Sequence, residues 1–129
     1  MIVRSLEDIE GTKRDVAWGN GRSRRLLIKA DGVPYSLTDT IVEAGTTSFL
    51  QYRNHVETCY CISGRGRIRD AVTGEEHVIV PGTMYALDKN DAHHLIADEQ
   101  DLRLVCVFFP GLNGDEVHKL ASEELSSAY

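Results

Sequence analysis

Apolar runs are short throughout this 129-residue chain, and none approaches the ~18 residues of a membrane span. The opening MIVRSLEDIEG has one early arginine but no apolar core of the length a signal peptide needs, so a cytoplasmic protein is expected. Cysteine is scarce and odd in number: Cys59, Cys61 and Cys106 all fall in strand-like segments, which fits reduced thiols better than a disulfide scaffold. Basic charge is short as well. The net charge of −6 and the want of a basic stripe argue against a nucleic-acid partner. The arginines that do cluster, Arg22, Arg24 and Arg25 and the alternating Arg65, Arg67 and Arg69, read as solvated faces. There is no Gly-rich phosphate loop, no serine nucleophile elbow and no paired-cysteine zinc spacing. Internal repeats, low-complexity tracts and linkers are also missing.

What remains is ordinary for a globular chain, with 42% hydrophobic and 26% charged residues, and the length implies a single domain over residues 1–129. Ile2 and Val3 suggest a short first strand, and AWGNGRS at 17–23 reads as a mobile Gly-rich loop. Strands are expected at Arg24–Lys29 and Tyr35–Val42 around the turn Ala30-Asp31-Gly32. Further strands are expected at 48–53, 57–63, 66–71, 77–80, 84–87, 93–97 and 102–109. In the 35–42 strand, Ser36, Thr38 and Thr40 share one face, which makes sense if that face lines a polar cavity. Many short strands with Gly-bearing turns indicate an all-β sandwich or barrel. After Asn113 the spacing Val117, Leu120, Ala121, Leu125 suggests one short C-terminal helix, with Asn113-x-x-Glu116 as its capping box.

Between Gly45 and Ala97 a spacing pattern stands out. Gly45, Glu57 and Gly64 fall in one register and Gly82 and His93 in another, with residues 65–81 between the halves. The arrangement resembles the double motif of the cupin superfamily, a double-stranded β-helix or jelly-roll barrel that holds a metal. Gln51 and Arg53 stand where that motif has histidines, and Asp88, Asn90 and Ala97 replace its Pro, Gly and Asn. Glu57 and His93 are thus the retained metal-ligand types. His94 points to the opposite strand face from His93 and does not join it. Two ligands do not make a catalytic site, and the third candidates are Tyr85, Gln51, His55 and a cysteine. A phenolate is a hard oxygen donor that suits iron better than zinc. By spacing alone Tyr85, Cys106 and Phe108 read as core, Glu116 as a helix cap and His118 as a solvated helix residue.

Longer matches then narrow the reading. The opening MIVR-x-L-x-D-I, RLLIKADG followed by Tyr35-Ser36, YRNHVE at 52–57, the TGE turn at 73–75, PGTMYALD at 81–88 and CVFFPGLNGDEVH at 106–118 together resemble the ectoine synthase family of cupins. The likeness runs from the first residue to about His118. It implies a hydro-lyase of compatible-solute synthesis under osmotic stress, which closes N-γ-acetyl-L-2,4-diaminobutyrate to ectoine with loss of water. It implies Fe(2+) held by Glu57, Tyr85 and His93, a substrate pocket of Arg25, Thr38, Thr40, Tyr52, Cys106, Phe108, Glu116 and His118, and a homodimer. Glu116 and His118 are its candidates for moving protons. Three positions depart: Gly21 stands for a pocket Trp, with Trp18 three residues away, Thr38 for Asn or His, and Gln51 for His. The alternatives are a metal cupin acting on another small amine or amide, and a non-catalytic cupin that binds a small polar ligand.

Overall fold

The structure, a computed structural model, describes residues 1–118. Ten strands form two antiparallel sheets. The larger carries β1 (Asp15–Ala17), β2 (Gly21–Leu27), β3 (Ser36–Val42), β5 (Val56–Ser63), β8 (Met84–Leu87) and β10 (Leu102–Phe109), in the order β1-β2-β3-β10-β5-β8. The smaller carries β4 (Thr47–Leu50), β6 (Gly66–Asp70), β7 (Glu76–Ile79) and β9 (His93–Ala97), in the order β4-β9-β6-β7. The all-β expectation holds, and β8, β9 and β10 have the bounds read from alternation and turn chemistry. Along β10, Leu102, Leu104, Cys106 and Phe108 are buried while the residues between them are not. Side chains of period two therefore feed one interior. Val42, Cys61 and Leu104 of the larger sheet meet Leu50, Ile79 and Leu95 of the smaller one there.

Four local readings change. Ile2 and Val3 form no strand; the first element is a helical turn, α1 (Leu6–Ile9). Ser5 caps it by accepting from the Asp8 N–H, and the Asp8 carboxylate accepts from the Ser5 N–H in return. The 17–23 stretch is a hairpin rather than a mobile loop. Trp18 N–H donates to the Gly21 carbonyl at 3.2 Å across the Gly19-Asn20 turn, and Gly19 takes φ 128°. Arg25 is not solvated: it is on the inner face of β2 with 0% exposure, while Arg22 and Arg24 face outward. Finally, no helix begins at Asn113. The Glu116 carboxylate accepts from the N–H groups of Asn113 and Gly114, both at 2.8 Å, so it closes a loop on itself. Val117 and His118 are not helical, and the rest of the expected helix lies outside the described residues. Arg67 and Arg69 do face outward, paired with Glu76 and Asp98.

The outer face of β3 is pinned by charge. Asp39 receives Arg24 Nη2 at 2.6 Å from β2 and Arg103 Nη2 at 2.7 Å from β10. Burial alone would raise its pKa, but hydrogen bonds from Arg103 and Arg24 outweigh that and lower it. A carboxylate with a depressed folded pKa stabilises above its ordinary value near 4, and the contribution fades as pH falls through the folded value. Asp39→Asn is expected to cost about 2 kcal/mol at pH 7. Thermal melts should show the gap to the parent narrowing below about pH 4; a gap that stays constant with pH would contradict the charge account.

Candidate active site

Register assembles the inner face of the larger sheet. Arg25 pairs with Thr38, Thr38 with Cys106, Cys106 with Cys59, and Cys59 with Tyr85. One transverse row thus crosses β2, β3, β10, β5 and β8. The next row brings Phe108 opposite Glu57, and the row on the other side brings Ser23 opposite Thr40. The smaller sheet contributes His93, fixed between Leu50 of β4 and Asp70 of β6.

These rows border a small cavity of about 20 Å³. Its lining includes Thr40, Tyr52, Glu57, Tyr85, Cys106, Phe108 and His118, seven of the residues singled out from the sequence. Ring contacts tie its walls together. Tyr52 meets Phe108 edge-on at 5.4 Å and His118 at 5.5 Å, and Trp18 meets His118 edge-on at 5.4 Å. Arg25, Thr38, Glu116 and His93 are not in that lining. Arg25 donates from Nε to Ser23 Oγ at 3.2 Å and from Nη2 to the Glu116 carbonyl at 2.6 Å. Thr38 and Thr40 join hydroxyls at 3.0 Å. His93 borders an adjoining hollow with Asp70, Asp88 and Asp91, and Tyr85 borders both spaces. Ser23 and Leu95 also line the cavity and were not among the sequence candidates; so do Trp18, noted only as the aromatic near Gly21, and Cys59, covered only by the expectation of a cysteine as third ligand. For Cys59 a signal existed, since it alternates with Glu57 along one strand.

The electrostatics of this interior call for a cation. Burial raises the Glu57 pKa to about 8, although hydrogen bonding by Cys59 and Cys106 pulls the other way. Burial likewise drives the Tyr85 phenol up, with the nearby Cys59 and Glu57 adding to it. His93, 1% exposed, is lowered to about 4 by burial and so is neutral at pH 7. Its Nδ1 lies 2.9 Å from the Asp91 carbonyl, which places the proton there and leaves the Nε2 lone pair available. Nε2 is buried and has no hydrogen-bond partner. An orphaned imidazole nitrogen oriented by a backbone carbonyl is the arrangement of a metal-ligating histidine. Two acids that burial makes hard to ionise gain most from a bound ion. Glu57, Tyr85 and His93 are each of a donor type that a metal takes, with Tyr85 bordering both the cavity of Glu57 and the adjoining hollow of His93.

The family described as ectoine synthase matches residues 1–124. An L-ectoine synthase of Desulfatibacillum aliphaticivorans is 55% identical over 120 residues, 92% of each chain. The chain belongs to the ectoine synthase family. The crystal structure of ectoine synthase from P. lautus superposes with TM-score 0.84 at 48% identity, covering 88% of this chain and 81% of that one. A Cupin 2 conserved barrel domain protein from Salinispora arenicola CNS-205 shares the fold at TM-score 0.65 and 17% identity, over 84% of this chain and 88% of that one. The cupin expectation for the fold is thereby met.

Within this ectoine synthase framework the departures have local explanations. Asn90 occupies a glycine position of the cupin motif and adopts φ 53°, a left-handed conformation that Asn tolerates better than most residues. From there its amide donates to the carbonyls of Tyr52 at 2.8 Å and His55 at 3.0 Å, which anchors the segment leading to Glu57. Gln51 turns its amide to the Asn90 carbonyl at 3.2 Å. At position 21 the backbone leaves no room for a side chain, because a Cβ would lie 1.8 Å from the Ile41 carbonyl oxygen. Trp18, 3% exposed, supplies the aromatic wall instead, and its indole N–H donates to that same carbonyl at 3.2 Å. Gly21→Ala is expected to destabilise by about 1–3 kcal/mol through overpacking and displacement of Trp18. Denaturant unfolding with tryptophan fluorescence, the chain having one Trp, reads both effects; an unshifted midpoint would refute the clash.

Proposed function

We infer that this protein carries out the reaction of its family, the cyclocondensation of N-γ-acetyl-L-2,4-diaminobutyrate to ectoine with loss of water. The observation that carries the reading is a buried cavity bearing Glu57 and Tyr85, with the orphaned Nε2 of His93 beside it, in a chain 55% identical to an L-ectoine synthase. Glu57, Tyr85 and His93 are proposed to hold iron as Fe(2+), because two hard oxygen donors and an imidazole suit that ion. When bound, iron supplies a Lewis acid for the acetamide carbonyl oxygen.

The chain's own residues do the rest. Ring closure is intramolecular, so much of the work is to fold a flexible substrate into a near-attack shape. Tyr52, Phe108 and Trp18 provide an apolar, ring-braced wall for that fold. Thr40, tied to Thr38, offers an oriented hydroxyl. Arg25 is the buried guanidinium of the region, and its fork matches a carboxylate. Glu116 has its pKa lowered despite burial, by hydrogen bonds from Gly114 and Asn113 and by the charge of Arg25, so it is ionised at pH 7. His118 on the cavity wall, with the ionised Glu116 two residues before it, can hold the substrate amine and receive its proton as the new C–N bond forms. A cavity with little room for water limits hydrolytic side reactions of the bound intermediate.

The finer circumstances follow from the same features. Three buried free cysteines suit a reducing cytoplasm, and among the described residues no helix is long and apolar enough to cross a membrane. A role in making a compatible solute under osmotic stress goes with the product. The outer face of the larger sheet exposes Tyr60, Ile62, Met84, Val107 and Phe109, and this apolar patch is the surface proposed for a homodimer. Light scattering should give twice the 14.4 kDa chain mass, and Met84→Lys with Val107→Lys should return it to one; a native protein at one chain mass would end the dimer proposal.

The kinetic series is direct. Glu57→Ala, Tyr85→Phe and His93→Ala should each abolish detectable ectoine formation and lower bound iron, measured together by product chromatography and elemental analysis. Stoichiometric iron with full activity in any one removes that residue from the set. Arg25→Ala should raise KM roughly ten-fold or more, as loss of a charged hydrogen bond implies, with a smaller effect on kcat. An unchanged KM with reduced stability would confine Arg25 to its contacts with Ser23 and Glu116.

A further inference from the structure

The cavity contains a second donor set that the proposed iron ligands do not use. A carboxylate oxygen of Glu57 and the sulfurs of Cys59 and Cys106 all lie within 4.8 Å of one another, and all three residues are buried. The two sulfurs are 3.2 Å apart, because Cys59 and Cys106 are direct partners across β5 and β10. Glu57 is on the same strand face two residues away and completes the triangle. The third cysteine takes no part: the Cys61 thiol donates to the Ser63 carbonyl at 3.3 Å. All three donors line the cavity, so an ion among them would keep an open position toward it.

We propose that Glu57, Cys59 and Cys106 form a binding site for a thiophilic divalent cation such as Zn2+, distinct in donor chemistry from the Glu57–Tyr85–His93 set. Two thiolates and one carboxylate are ligand types zinc takes readily, at about 2.3 Å for sulfur and 2.0–2.2 Å for oxygen, in a three-ligand site with a fourth position open. Donors no further apart than those here reach such bond lengths through small side-chain rotations. On binding, the protons of the two thiols and of the Glu57 carboxyl leave to solvent and the cation takes their place. Soft sulfur donors favour zinc over ferrous iron, whereas the phenolate of the other set is a hard donor that suits iron. Both sets draw on Glu57, so they exclude each other, and zinc is an inhibitor that displaces iron. The exclusion rests on the iron reading given above; the thiolate site does not.

The test uses the full-length protein, stripped of metal and titrated with Co2+ as a spectroscopic substitute for zinc. A thiolate-to-cobalt charge-transfer band should saturate at one ion per chain and be bleached by Zn2+. Cys59→Ala and Cys106→Ala should each reduce it to about half or less, since each removes one of two sulfur donors. Cys61→Ala should leave it intact. X-ray absorption at the zinc edge on the native protein counts sulfur neighbours without relying on any variant's folding, and two are expected. The proposal is overturned by a zinc shell without sulfur, by cobalt spectra lacking the charge-transfer band, or by a band that survives both substitutions. A protein that makes no ectoine when loaded with iron and free of zinc, yet shows two sulfurs on zinc when loaded with that ion, would sink the iron reading alone.

Discussion

Strand register is the constraint on which the rest of this molecule depends. The row Arg25–Thr38–Cys106–Cys59–Tyr85 exists only because five antiparallel strands meet at one set of partners. A slip of one residue in any of them would turn its functional side chain to the opposite face. Part of what prevents the slip is on the far side of the sheet, where Asp39 binds Arg24 and Arg103 and locks β2, β3 and β10 together. Those three strands bring Arg25, Thr38 and Cys106 to the row. The face of β3 that never meets a ligand thus holds in place the face that lines the cavity.

The interior so built is unusual in its electrostatics. Glu57, Tyr85 and Cys59 crowd one region with acidic groups, and burial raises the pKa of each. His93 adds a lone pair with nothing to bind. The acidic groups bond one another in part, as the Cys59–Cys106 contact shows. If the two proposed donor sets both bind, one hard and one soft, selection of the ion falls to Tyr85 and His93 against the two sulfurs.

Much of this was legible in the sequence. Alternation and Gly-bearing turns located the later strands, and the Thr face of β3 pointed to a polar interior before any partner strand was known. Period two also carried information that the arginine cluster obscured. Arg24 and Arg25 are neighbours on one strand and must face opposite ways, so they cannot both be solvated. What could not be read depends on distance along the chain. The Arg25 contact with Glu116 joins residues 91 apart, and the Cys59–Cys106 pair needs the β5–β10 register. The four-residue α1 is too short for a helical period to show. The 15–27 hairpin was concealed by glycines that read as mobility, although Gly19-Asn20 is turn chemistry.

The narrowness of the cavity has its own consequence. Space for the centre of a water molecule amounts to about 20 Å³, close to what a single water requires. The resting cavity is therefore too narrow for a substrate of many atoms. Entry must part the ring contacts among Trp18, Tyr52, Phe108 and His118, and the work of parting them comes out of substrate binding energy. As the ring closes, a flexible chain becomes a compact cycle, and the walls can relax back toward each other. Substrate entry and the integrity of the cavity wall thus depend on the same four rings.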